Sequence, residues 1–154
     1  MKTDSVFNTA FETSLRLLIL LDESDVDLDV ESIQAVDFMA TYGKEFSIAE
    51  NSANGDNPFM FCELATRKTL VESALKKLVI RGYVLPTATR SGFLYRLLLA
   101  GHRLARSLSS EYPMEYRDAV GNALRAVTEE GIDSVLATIK IKSRTALNER
   151  LAHE

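Results

Sequence analysis

The chain has 154 residues, 46% of them apolar, and a formal net charge of −4, which suits one domain with a real core and leaves no room for two large ones. It holds no apolar run of the roughly 18 residues that a membrane-spanning helix needs. A single cysteine, Cys62, excludes an internal disulfide, and the opening residues carry no signal-peptide pattern, so a cytoplasmic setting is expected.

The modest net charge hides a strong asymmetry. Residues 1–63 hold three bases against thirteen acids, residues 64–106 nine bases against one acid, and residues 107–154 six bases against eight acids. Such a chain offers one face to a polyanion or an acidic protein and another to something different.

Asn8 and Thr9 can cap a first helix, with Glu12 as the capping-box partner of Thr9. Phe11, Leu15, Leu18 and Ile19 follow at helical spacing, and the helix is expected to end near Leu21. The acid-rich run from Asp22 to Asp29 reads as a solvated loop. It lacks the glycine and the terminal glutamate of a calcium-binding loop. Asp29 can cap a second helix, whose apolar stripe is drawn through Val30, Ile33, Val36 and Met39 or Ala40. Tyr42-Gly43 can end it. The turn-rich run from Asn51 to Pro58 is either a plain surface excursion or a partner contact.

A long helix comes next. Leu64, Ala65, Leu70 or Val71, Ala74, Leu75 and Leu78 mark its buried stripe, and Gly82 closes it. Tyr83-Val84-Leu85 and Phe93-Leu94-Tyr95-Arg96-Leu97 read as two strands joined by a loose loop from Pro86 to Gly92. A helix is expected over about 98–107, and another from Pro113 through Tyr116, Val120, Leu124 and Val127 to Glu130. Gly131 can cap its end. Asp133 can cap a last helix with Val135 or Leu136, Ile139 and Leu147 as apolar positions. The expected fold is mainly α: a winged helix-turn-helix core with a two-stranded wing over residues 1–110, and a C-terminal helical extension over residues 111–154 packed on it.

Nothing points to catalysis, a metal or a cofactor. His102 and His153, the two histidines, have no cysteine or second histidine at metal-ligand spacing. No glycine-rich phosphate loop is present. Cys62 has no flanking histidine and reads as a small buried hydrophobe.

The basic helix and wing carry the strongest signal. Arg67, Lys68, Lys76, Lys77, Arg81, Arg90 and Arg96 are candidates for contact with duplex DNA, chiefly with phosphates. At about 100° per residue, Lys68 and Lys77 stand on opposite sides of the helix, so the charges make no single stripe. Side chains suited to reading base edges are scarce, with Thr66, Thr69 and Ser73 alone beside the bases. Two uses stay open: phosphate contact, or a protein-docking module whose bases are solvated.

A set of short runs then adds a resemblance. They are Asn8-Thr9-Ala10-Phe11-Glu12, Asp37-Phe38-Met39 with Tyr42-Gly43, Asn54-Gly55-Asp56-Asn57-Pro58-Phe59, Cys62-Glu63-Leu64-Ala65-Thr66-Arg67-Lys68, and the stretch from Val71 to Tyr83. Together they resemble the small middle component of ABC-three-component systems, which include the middle subunit of Lamassu-type anti-phage defence. The resemblance covers about residues 6–125 and rests on many positions, without one diagnostic motif. It implies a non-enzymatic accessory or scaffold subunit, with no catalytic residue to carry over. Its partners would be an SMC-like ABC-type ATPase and an effector, often a nuclease. Asn54, Asp56, Asn57, Phe59 and Glu63 match shared positions and are candidates for partner binding. Leu98 and Leu99 stand where the family tends to have a threonine-capped helix. A free winged-helix transcription regulator binding duplex DNA is the alternative reading.

Overall fold

The computed structural model describes residues 10–42, 64–139 and 141. Helix α1 spans Ala10–Glu23, strand β1 Leu28–Asp29 and helix α2 Val30–Thr41. Helix α3 spans Leu64–Ile80, strands β2 and β3 Val84–Thr89 and Gly92–Leu97, helix α4 Leu99–Ser107 and helix α5 Glu111–Glu130. Residues 132–139 are again helical. The molecule is therefore mainly helical, with one small antiparallel sheet in the order β1-β3-β2.

Helix α1 is the centre of the core. Arg16 to Leu21 are buried without a break, because α2, α3, α4 and α5 all pack on this one helix. A helix enclosed on all sides needs no polar face. Helix α2 is enclosed over its C-terminal part: Ala35 to Tyr42 are all buried, so the narrow stripe expected there widens to the whole circumference, while Glu31 in the first turn stays exposed. Asp29 caps α2 as expected, its Oδ1 accepting from the Ser32 N–H at 2.8 Å. The proposed caps Asn8 and Thr9, and Gly43 with the run from Asn51 to Pro58, lie outside the described residues.

The end of α3 follows from Gly82. Its φ of +82° lets the Tyr83 N–H reach the Leu78 carbonyl and its own N–H reach that of Val79, at 3.0 and 3.1 Å. These are the paired bonds of a Schellman cap, which satisfies carbonyls that the helix end would leave orphaned.

The sheet corrects two expectations. The acidic run is not all loop: Leu28 and Asp29 pair with Tyr95 and Leu94, which makes the sheet three-stranded. Leu28 is buried, and a two-residue strand with one apolar side chain is too short to show alternation in sequence. The hairpin is also tighter than expected. Strand β2 runs through Pro86 to Thr89, so Arg90 and Ser91 alone make the turn. Proline is accommodated by register. The Leu98 N–H bonds to the Tyr83 carbonyl at 2.9 Å, one step beyond the ladder. Counting by twos from there, Leu85–Arg96, Thr87–Leu94 and Thr89–Gly92 are hydrogen-bonded pairs and Pro86–Tyr95 is not. The missing N–H of Pro86 therefore belongs on the outer edge of β2, where it also discourages pairing with a foreign strand.

Helix α5 turns Tyr116, Ala119, Val120 and Ala123 inward against α1 and α2. Pro113 sits in its first turn, and Gly131 ends it with a φ of +84°. Asp133, expected to cap the next helix, lies within the helical residues that begin at 132.

Candidate interaction surface

Two ion-pair centres, one buried and one at the partly exposed end of α1, fix the frame that carries the surface. The first is Asp37 on α2, whose side chain is 1% exposed. Its Oδ1 accepts from Arg16 Nε at 2.9 Å and from the Tyr116 hydroxyl at 2.6 Å. Its Oδ2 accepts from Arg67 Nη1 at 3.0 Å. One carboxylate thus joins α1, α2, α3 and α5. Thr13 and Thr41 add oxygens to the two guanidinium groups, and Arg67 also lies over the Tyr42 ring, 5.3 Å from its centroid. Burial alone would raise the Asp37 carboxyl. The charges of Arg16 and Arg67, with the hydrogen bonds from Arg16 and Tyr116, overcome it and hold the group below its ordinary value. The same surroundings push the Tyr116 hydroxyl well above its usual range, through burial first and the Asp37 charge second.

The second centre is Asp22, at the end of α1. The acidic run it opens is expected to be solvated, yet the Asp22 side chain is only 4% exposed. His102 Nδ1 lies 2.7 Å from Oδ1, Arg106 Nε 3.4 Å from the same oxygen, and Arg117 Nη1 2.8 Å from Oδ2. Arg117 also reaches Glu23 at 2.6 Å and the Ala105 carbonyl at 3.2 Å. The arrangement ties α4 and α5 to the end of α1. Burial raises the Asp22 carboxyl, but the hydrogen bonds from His102 and Arg117 and the charges of Arg117 and Arg106 outweigh it, so the net displacement is downward.

The structure divides the candidate bases. Arg67 faces inward, 4% exposed, with its guanidinium on Asp37. Its position explains why: Val71, Ala74, Leu75 and Leu78 define the buried side of α3, and Arg67 lies one turn before Val71. Lys68, Lys76, Lys77, Arg81, Arg90 and Arg96 are exposed. Among the described residues no acid forms an ion pair with any of these six. Arg90 stands at the hairpin tip, and Arg96 lies cross-strand from Leu85, on the side of the sheet opposite Tyr95 and Leu97. The partner-binding candidates Asn54, Asp56, Asn57, Phe59 and Glu63 lie outside the described residues.

Sequence reasoning passed over both centres. A signal was available. Asp37 stands between Val36 and Phe38, and Arg16 between Leu15 and Leu17, so opposite charges occupy apolar runs on two helices. A charge there must find a partner inside the fold.

Among the described residues no helix is long and apolar enough to cross a membrane, and no three His, Cys, Asp or Glu side chains gather where a metal could be held. Comparison with curated proteins gives no match, and comparison with solved structures gives none. A family profile does match, over residues 6–149, nearly the whole chain. The chain therefore belongs to the Middle Component 2 family of ABC-three-component (ABC-3C) systems.

Proposed function

We propose that this chain is a non-enzymatic scaffold subunit that docks on an SMC-like ATPase and links it to an effector, in a cytoplasmic anti-phage complex of the Lamassu kind. Membership of a three-component system implies protein partners. The observation that carries the reading is the contrast between interior and surface. Inside, one carboxylate locks four helices together; outside, a set of bases carries no ion pair among the described residues. A rigid frame presenting unspent charge suits docking, because little order has to be gained on binding.

The order α1-β1-α2-α3-β2-β3, with β1 on the far side of β3 from β2, supports a winged-helix reading of the core. On that reading Arg90 and Arg96 are the hairpin bases best placed to meet phosphates of DNA held by the complex, as position-fixing contacts without base readout. The function is tested by co-expression with the cognate ATPase carrying an affinity tag. Co-purification through moderate salt is expected. A chain that never travels with the ATPase, at low or moderate salt, removes the scaffold reading. DNA contact is tested on the purified complex: log affinity should fall with log salt by about 0.9 per phosphate contacted, and Arg90→Glu should weaken all sequences alike.

A further inference from the structure

We infer that the face of the hairpin on which Phe93 and Tyr95 stand in line is a stacking site for the bases of a single-stranded nucleic acid. This rests on the DNA-contact part of the reading above, which used phosphates alone, and is independent of the scaffold part. The register places the residues. Cross-strand partners share a face and successive residues alternate, so Val84 with Leu97, Pro86 with Tyr95 and Ala88 with Phe93 line one face of the sheet. Burial falls step by step along it. Val84 and Leu97 are in the core, Pro86 and Tyr95 are half-buried, and Ala88 and Phe93 are exposed. The hairpin thus overhangs the core and leaves the Phe93 ring 53% exposed, with its centroid 6.4 Å from that of the Tyr95 ring.

Tyr95 packs on the core and fixes the inner end of this strip. Ala88, opposite Phe93, is too small to cover the outer ring. Six cross-strand pairs, and the Thr89 hydroxyl donating to the Gly92 carbonyl at 2.7 Å, hold the two strands together up to the turn. From Val84 to Leu97 the chain has two bases, Arg90 and Arg96, and no acid. Arg90 lies in the turn, at the open end of the strip, whereas Arg96 pairs with Leu85 on the other face. Asp29, the acid of the neighbouring strand, pairs with Leu94, so it too belongs to the other face, where its carboxylate caps α2. An aromatic strip with a cation at its end, and no acid from the three strands on its face, suits a planar base followed by a phosphate. An amphipathic helix needs anchors spread over two turns, and this strip offers one free ring and one half-packed ring. Duplex DNA keeps its bases stacked on one another and leaves the Phe93 ring unused.

The chain has no tryptophan, so Phe93→Trp puts its sole indole in the strip and makes stacking visible. The probe is oligothymidylate of about ten nucleotides, compared with inorganic polyphosphate of equal charge and with a blunt duplex. Oligothymidylate should quench the indole of the full chain and polyphosphate should not. Phe93→Leu, which keeps an apolar side chain, should weaken oligothymidylate binding about tenfold, and Phe93→Tyr should leave it unchanged. Arg90→Glu should weaken it more than Arg96→Glu. Phe93 is exposed, so its variants should melt like the unaltered chain. Unchanged binding by Phe93→Leu overturns the proposal, as does quenching by polyphosphate or tighter binding of the duplex. So does an indole that the cognate ATPase shields from iodide in the purified complex, which marks the strip as a protein contact. The readings fail separately: duplex binding that Arg90→Glu weakens and Phe93→Leu does not keeps the phosphate contacts and removes the stacking site, and co-purification with the ATPase depends on neither.

Discussion

The Tyr116 hydroxyl donates a 2.6 Å hydrogen bond to Asp37, a residue 79 positions earlier in the chain and fully enclosed. That bond places α5 on the same carboxylate that Arg16 and Arg67 hold from α1 and α3. Removing the acceptor is therefore worse than removing the donor. Asp37→Asn leaves two buried guanidinium groups without their carboxylate and should cost about 3–5 kcal/mol. Tyr116→Phe loses one bond to a charged group and should cost about 1.5–3 kcal/mol. Urea melts rank the two; equal losses would mean that Asp37 is not the hub.

The pH dependence follows from the same groups. The Asp37 and Asp22 carboxyls are held below their ordinary value of 3.8 in the fold, so the unfolded chain binds protons first as the pH drops. Their contribution is complete above that value and is lost as pH falls through the folded values. Asp22→Asn should make the acid limb of a stability–pH curve shallower. At the other end Tyr112 is pushed up to about 12, through burial first, and Tyr116 rises well above 10.0. A raised folded value means full stability below the unfolded value and loss above it, so stability should decline as pH climbs past 10.0. Tyrosinate absorbance should show two late-titrating groups, one of which Tyr112→Phe removes.

Much of the local order was legible. Gly82 ends α3, Asp29 starts α2 and Gly131 ends α5, because each solves a backbone problem within a few residues of itself. The continuation of β2 through Pro86 was not legible, since it depends on which cross-strand pairs are hydrogen-bonded. Strand β1 was hidden because its partner among the described residues, β3, lies more than sixty residues away. The seven candidate bases lie close together in sequence, but which of them faces inward is set by Asp37. A helical wheel of α3 drawn through Leu75 and Leu78 comes close to finding this, with Arg67 two turns before Ala74 on the buried side.

The packing of α3 can be checked with a pair of variants. Leu78 is 4% exposed in the core and Lys76 is solvated. Leu78→Ala should cost about 2–5 kcal/mol through lost transfer energy and a cavity. Lys76→Ala should cost well under about 1 kcal/mol. Similar small losses from both would mean that α3 is rotated on its axis.

Gly101 tests the junction of hairpin and α4. Any side chain there must displace the Tyr83 carbonyl, which is backbone and cannot swing away. Gly101→Ala should therefore destabilise by about 1–3 kcal/mol although alanine favours helices. Gly121, also helical, has nothing within reach of a Cβ, and Gly121→Ala should be stabilising. Hydrogen exchange at the Leu98 amide should speed up in the first variant and not in the second.

The scaffold claim meets its most direct test in the mass of the co-expressed complex. Size exclusion with light scattering should give a shared peak whose mass exceeds that of the ATPase assembly alone by a whole multiple of 17.1 kDa. A chain that elutes without the ATPase, as a symmetric dimer gripping palindromic DNA, would contradict the account and favour a transcription regulator.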